Sequence, residues 1–314
     1  MTGAGIRPLT IVSGPLGSGK TTLLRRLLQD SRLPSTAVIV NELGDVGLDH
    51  HQLRQVEEST LVLPGGCVCC AMRSDVESAL LELLSAEGAG RVGPLRRVVL
   101  ETTGLADPAP VVATLQASPT LRHHFAVDRV VVTIDAQAVT RDAEPGPEWL
   151  QQVVCADLLV LTKTDLVTPE VADDLRSRLE RLNPAAAVVT PADVDLASAH
   201  DRPASAVVSP LAPDRHLSEV TSASVILAGP VDWAAFAAWV SALLHAHGDR
   251  ILRMKALLDT GADAPVILDA VQHVVHPPRH LLGWTGPRCS SLVVITRNLP
   301  AEEVVGALRR FLDR

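Results

Sequence analysis

Short apolar runs alternate with longer amphipathic stretches over the first two thirds of the chain. Residues 9–13, 37–40, 61–63, 97–100, 130–134, 158–161 and 187–189 are rich in Val, Ile and Leu and nearly continuous in apolar character. Continuous runs of that kind predict strands buried on both faces, as in a parallel sheet covered by helices. Between them lie helix candidates. One is 20–28, just after a Gly-rich turn. In 75–84, apolar residues at 76, 79, 80, 83 and 84 form a stripe, and 169–182 opens with Thr168 as N-cap and Pro169 at the first helical position. The βαβ rhythm predicts a doubly wound α/β domain with a mostly parallel sheet.

The pattern breaks near residue 191, where Ala, Ser, Pro and Asp dominate with weak periodicity up to about 222. Beyond it, 224–227, 250–258, 266–275 and 291–296 predict strands, and 233–245 and 301–312 predict helices. The expected organisation is a P-loop domain over 1–200, a linker over 201–222 and a smaller α+β domain with an antiparallel sheet over 223–314. A chain of 314 residues accommodates both.

Composition narrows the function classes. A net charge of −8 argues against a nucleic-acid-binding chain, which needs a basic face for phosphates. No apolar run approaches the roughly 18 residues that cross a bilayer, and the first eight residues carry one Arg with no apolar core behind it. No membrane association is expected, and the cytoplasm is the default compartment. The five cysteines include three within four positions, Cys67, Cys69 and Cys70, which suits metal binding better than a disulfide framework.

Three segments carry nucleotide chemistry. Gly14-Pro15-Leu16-Gly17-Ser18-Gly19-Lys20-Thr21 matches G-x-x-x-x-G-K-[ST] and joins a predicted strand to a predicted helix. Its glycines let backbone N–H groups face phosphates, Lys20 offers charge to the β- and γ-phosphates, and the Thr21 hydroxyl is a Mg²⁺ ligand. With Thr22 these residues form the expected phosphate site. Glu101-Thr102-Thr103-Gly104, after the strand 97–100, fits an acid that reaches Mg²⁺ and a Gly104 N–H that meets the γ-phosphate. Thr162-Lys163-Thr164-Asp165 ends another strand. Asp165 can accept from guanine N1–H and its exocyclic amine, a donor pair adenine lacks, and the Lys163 stem would cover the base. Thr162 stands where Asn is usual, which predicts some loss of affinity.

Gly65-Gly66-Cys67-Val68-Cys69-Cys70 offers three soft thiolates suited to Zn²⁺ or Cu(I). A fourth ligand would come from Glu42, or from His50 or His51, or stay open so that the metal can leave. The paired His123 and His124, and His273 and His276, are weaker metal signals. Cys155 and Cys289 stand alone, as packing residues do.

Together, 11–24, Asn41-Glu42-Leu43-Gly44-Asp45, Gly65–Cys70 and Glu101-Thr102-Thr103-Gly104-Leu105-Ala106-Asp107-Pro108 closely resemble the CobW family of G3E P-loop GTPases. Pro230-Val231-Asp232-Trp233, the run 247–255, Val271-Gln272-His273-Val274-Val275-His276-Pro277-Pro278 and Arg288-Cys289-Ser290-Ser291 resemble that family's C-terminal domain. The resemblance implies a metallochaperone that binds GTP, Mg²⁺ and Zn²⁺ or Co²⁺, and hydrolyses GTP to deliver metal to a client protein. Lys20, Thr21 and Glu101 would carry hydrolysis, and 41–49 and 104–107 would be the switches. A homo-oligomer is compatible with this. No arginine finger can be assigned, so slow intrinsic turnover is expected. Two other classes compete. A metal-responsive regulatory GTPase would act on a ribosomal or other partner under metal limitation, and a small-molecule kinase would lack a use for Asp165 and the cysteines.

Overall fold

The structure is a computed structural model. It describes residues 5–30, 33, 35–41, 60–63, 71–141, 146–197, 219–272, 274–284 and 287–313. By internal contacts the chain divides into two compact units, Met1–Leu175 with Val188–His200, and Arg176–Ala187 with Asp201–Arg314.

The first unit is built on a seven-stranded sheet. Its strands are β1 (Arg7–Ser13), β2 (Thr36–Asn41), β3 (Thr60–Leu63), β4 (Arg97–Glu101), β5 (Phe125–Asp135), β6 (Leu158–Thr162) and β7 (Ala187–Val189), in the order β3-β2-β4-β1-β5-β6-β7. The pairings of β1 with β4 and β5, of β2 with β3 and β4, and of β5 with β6 are all parallel. Burial on both faces explains the apolar runs. Val12, Val38, Val40, Val99, Val131 and Val160 pack with Leu23, Leu24 and Leu27 of α1 (Lys20–Leu28), while Ile11 and Ile39, one residue out of step, are equally buried.

Strand order decides where the site lies. The chain leaves β1, builds β2 and β3 on one side, returns to insert β4 beside β1, and then places β5 on the other flank. Such a reversal opens a crevice at the carboxyl ends of the strands, where ligands bind in open α/β sheets. Ser13, Glu101 and Asn41 end neighbouring strands at this edge: Val12 registers with Glu101, Glu101 with Val40, and Asn41 with Leu63.

Helices α2 (Ala71–Gly88), α3 (Ala109–Ala117), α4 (Pro119–His124), α5 (Ala136–Arg141), α6 (Pro147–Cys155) and α7 (Pro169–Leu182) complete the crossovers. The pattern reading located α7 and the middle of α2 but assigned no helix over 109–155. In α3, Ala109, Val111, Val112, Thr114 and Leu115 are all buried, which hides the helical period.

In the second unit, β8 (Val220–Leu227), β9 (Ile251–Leu258), β10 (Val266–Val271), β11 (Val274–Val275), β12 (Arg279–His280) and β13 (Ser290–Arg297) form an antiparallel sheet ordered β11-β10-β9-β13-β8, with β12 on β10. Met254, Ala256, Leu258, Leu268, Ala270, Leu292 and Val294 pack against Phe236, Trp239 and Val240 of α8 (Trp233–His247) and Val304, Val305 and Leu308 of α9 (Ala301–Leu312). Two boundaries differ from the pattern. The run 266–275 is a hairpin, with Val271 registering with Val274 and Gln272 at φ 53. Strand β8 begins at Val220, within the expected linker. There Thr221 shares a hydrogen bond of 2.9 Å with Thr296 on β13, a cross-strand pair that satisfies its polar side chain.

Candidate functional site

The loop from Ser13 to Lys20 is held in shape from below by hydroxyls. Gly14 sits at φ +137, and a Cβ there would fall 2.4 Å from the Thr133 carbonyl oxygen, so no other residue fits. Ser18 Oγ and Thr133 Oγ1 are 2.6 Å apart and both buried. The Ser18 N–H donates to Pro15 O at 3.2 Å, and Gly19 takes the left-handed conformation that starts α1. Gly17 also has positive φ and lies exposed at the tip, while Thr22 faces outward from the first turn.

Lys20 is 7% exposed, and its Nζ donates to Gly14 O at 2.9 Å and Pro15 O at 3.0 Å. Burial lowers its pKa from the ordinary Lys value, and the negative charge of Glu101 partly opposes this. The ammonium therefore lies folded back along the loop that would cradle the phosphates. Beside it, Thr21 Oγ1 donates to Glu101 Oε1 at 2.9 Å. A hydroxyl from the helix start and a buried carboxylate from the end of β4 thus converge, although 80 residues separate them. This is the donor set a Mg²⁺ ion would need, in the place where a phosphate-bound ion would lie.

The chain after Glu101 folds tightly onto the same loop. Thr102 N–H donates to Val12 O at 2.9 Å, and Thr102 Oγ1 donates to Ser13 Oγ at 2.9 Å. Thr103 Oγ1 is buried with no hydrogen-bond partner among the described residues. A Cβ on Gly104 would meet Leu16 N at 2.6 Å and Leu16 Cα at 2.7 Å, so backbone lies directly on backbone. The Thr103 hydroxyl and the bare Gly104 contact both fit a cradle completed by a ligand.

Lys163 and Asp165 follow β6. Lys163 adopts φ 54, and its Nζ pairs with Asp135 Oδ2 at 2.5 Å. Burial pushes the Asp135 carboxyl up, yet its pKa lies below the ordinary value of 3.8, because Lys163 and the backbone N–H groups of Ala138 and Gln137 stabilise the anion. Asp165 lies exposed in the 3₁₀ turn Thr164–Leu166, free to meet a base from solvent. Thr162 answers for the missing Asn. Its hydroxyl lies 2.7 Å from Ser18 O and 3.1 Å from Ile134 O, so it ties the base-side strand to the phosphate loop.

Lys20, Thr21, Glu101 and Gly104 are thus brought together around the phosphate loop, and Thr162 ties the Lys163–Asp165 turn to it. Glu42, Cys67, Cys69 and Cys70 lie outside the described residues, as do His50 and His51. Among the described residues no group of three or more His, Cys, Asp or Glu is placed to hold a metal ion. Sequence reading missed Thr133, Asp135 and Gln152. For Asp135 there was a usable signal, an acid closing a Val/Ile-rich strand. Thr133 and Gln152 act only through tertiary contacts.

The profile described as "CobW/HypB/UreG, nucleotide-binding domain" matches residues 8–190, and "Cobalamin synthesis protein cobW C-terminal domain" matches 220–312. The chain is 31% identical over 315 aligned residues to the zinc chaperone YjiA of Escherichia coli (strain K12), covering 95% of this chain and 96% of that protein. It is 30% identical over 189 residues to zinc-regulated GTPase metalloprotein activator 1 of Schizosaccharomyces pombe, covering 58% of this chain and 45% of the relative. The crystal structure of zinc-bound YjiA GTPase from E. coli superposes with a TM-score of 0.68 at 26% identity, covering 98% of this chain and 99% of that one.

Proposed function

We propose that this chain, which belongs to the CobW/HypB/UreG family of nucleotide-binding proteins and is a P-loop GTPase, uses its GTP cycle to deliver zinc to a client protein. Its residues assign the work as follows. Backbone N–H groups of the loop Gly14–Gly19 and the start of α1 hold the phosphates. Lys20 exchanges its contacts with Gly14 O and Pro15 O for phosphate oxygens, with little reorganisation because it already lies along the loop. Thr21 and Glu101 would hold Mg²⁺, which neutralises charge on the phosphates during transfer. Asp165 selects guanine, and Asp135 fixes Lys163 beside it.

Zinc enters as cargo. The donor set is proposed to be Cys67, Cys69 and Cys70 with Glu42, thiolates supplying affinity and a carboxylate supplying the exchangeable position. The observation that supports this set is the register of Asn41 with Leu63. Glu42 follows the first by one residue and Cys67 follows the second by four. Extended chain spans at most ~3.6 Å per residue, so chain length alone keeps Glu42 within about 4 Å of its strand end and Cys67 within about 14 Å of the paired one. The β2 end lies beside Glu101, which is in register with Val40, and the β3 end lies one strand further out. The names of the relatives favour zinc over cobalt as the cargo.

The test is zinc affinity measured by chelator competition for the wild type and for C67S/C69S/C70S. Loss of tight one-to-one binding in the triple variant, with GDP binding retained, supports the proposal. A triple variant that holds zinc as tightly as the wild type contradicts it.

A further inference from the structure

One buried amide lies outside the proposed phosphate, base and metal contacts. Gln152, on α6, is fully buried. Its Nε2 lies 3.2 Å from Gly104 O and 3.1 Å from Ala106 O. Because both neighbours are carbonyl oxygens, only the NH₂ end of the side chain can face them, which fixes the amide's orientation chemically. A primary amide has two N–H donors, and here each carbonyl receives one. The opposite end, Oε1, is buried and accepts no hydrogen bond among the described residues. Burying a carboxamide with its acceptor unsatisfied is unfavourable, so the two donated bonds must hold something that matters.

They hold the loop after β4. Among the described residues its turn is otherwise closed by one backbone bond, from Ala106 N–H to Thr103 O at 3.1 Å, within a segment where Leu105 points outward and is half exposed. Gln152 grips the carbonyls on either side of Leu105. Fixing the Gly104 carbonyl fixes the Gly104–Leu105 peptide plane and the Gly104 Cα seated on Leu16 N of the phosphate loop, which limits how the preceding peptide, the one carrying the Gly104 N–H, can turn. The same helix, α6, runs directly into β6, whose end carries Thr162, Lys163 and Asp165.

We infer that Gln152 is a positioning residue for GTP hydrolysis: its carboxamide holds the loop 104–106 against the phosphate loop, so that the Gly104 N–H is set for a γ-phosphate. The inference rests on reading Gly104 as the residue that meets the γ-phosphate. It predicts a selective defect. GDP has no γ-phosphate, so GDP affinity should not register the loss of the grip, whereas turnover should.

The experiment uses the full chain with Gln152→Met, which keeps the volume and loses both donors, and Gln152→Glu, which turns an acceptor toward two acceptors. Folding is checked by circular dichroism, GDP affinity by calorimetry, and kcat and KM for GTP by phosphate release. The expected result is GDP affinity within about twofold of wild type and kcat reduced about tenfold or more. Gln152→Glu should be the worse variant at neutral pH and regain activity relative to wild type under mild acid, when its carboxyl gains an O–H donor. A folded Gln152→Met with wild-type kcat overturns the inference, as does a loss of GDP affinity that matches the loss of kcat. Gly104→Ala separates the two layers of the argument. If it turns over GTP normally, the reading of Gly104 itself fails; if it is inactive while Gln152→Met is normal, only the role of Gln152 fails. Should neither Gln152 variant fold, the wild type still decides by NMR: the Gln152 side-chain NH₂ protons should resist solvent exchange and shift when a GTP analogue replaces GDP, and unprotected, unshifted protons overturn the inference.

Discussion

Thr162→Val offers the sharpest check on how the site is held together. Valine copies the shape of threonine and removes only the hydroxyl, which lies 2.7 Å from Ser18 O and 3.1 Å from Ile134 O in a side chain 6% exposed. Losing one such bond costs about 1 kcal/mol, and leaving a buried carbonyl without it adds up to about 1 kcal/mol more at the lower end of the usual penalty. If that cost falls on the seated phosphate loop, GDP and GTP-analogue affinity should each fall about five- to thirtyfold. Thr162→Ser keeps the hydroxyl and should stay within about threefold of wild type, since it loses only a methyl group. Calorimetry with both nucleotides, alongside urea unfolding, reads the two effects separately. Equal affinity in wild type and Thr162→Val would refute the idea that this hydroxyl secures the loop. Equal weakening in Thr162→Val and Thr162→Ser would transfer the effect to packing.

Lys20→Ala should lower GTP turnover by about a hundredfold or more, since it removes a preorganised charge from the transferring phosphoryl group; phosphate release measures it, and wild-type turnover would exclude Lys20 from hydrolysis. Asp165→Asn should weaken GTP about tenfold or more and leave ATP unchanged, as read by competition binding. Asp135 has its carboxyl held below 3.8, so its stabilising contribution is complete above that value and is lost as the pH falls through the lower, folded-state pKa. The difference in unfolding free energy between wild type and Asp135→Asn should thus be flat above about pH 5 and shrink only in stronger acid.

The phosphate loop, the acid at Glu101 and the parallel strands were legible because local pattern carries them: glycines at fixed spacing, and apolar runs whose alternate members, such as Ile11 and Val12, are buried on opposite faces. What was illegible depends on tertiary partners. Thr162 reads as a loss against the usual Asn until Ser18 O is seen beside it. Gln152 is an ordinary polar residue in a helix until Gly104 and Ala106, more than forty positions earlier, meet it. The hairpin inside 266–275 had no Gly or Asn to announce it, because Gln272 takes the left-handed conformation itself. The Cys67-Val68-Cys69-Cys70 segment was the plainest chemical signal in the sequence, and it is linked to the nucleotide site here only through the strand ends that precede it.

Under the proposed function, nucleotide state controls the hold on zinc. Glu42 would lie in the segment that responds to the γ-phosphate, while the cysteines follow the neighbouring strand. Zinc affinity must then differ between the GDP form and the form holding a non-hydrolysable GTP analogue. By linkage zinc must change the affinity for the analogue relative to GDP by the same factor, on the order of five- to 150-fold. Chelator competition in both states measures this directly. A reciprocal difference in that range, lost in Glu42→Ala while zinc is still bound by the cysteines, is the predicted result. Identical zinc affinity in the two nucleotide states would contradict the account.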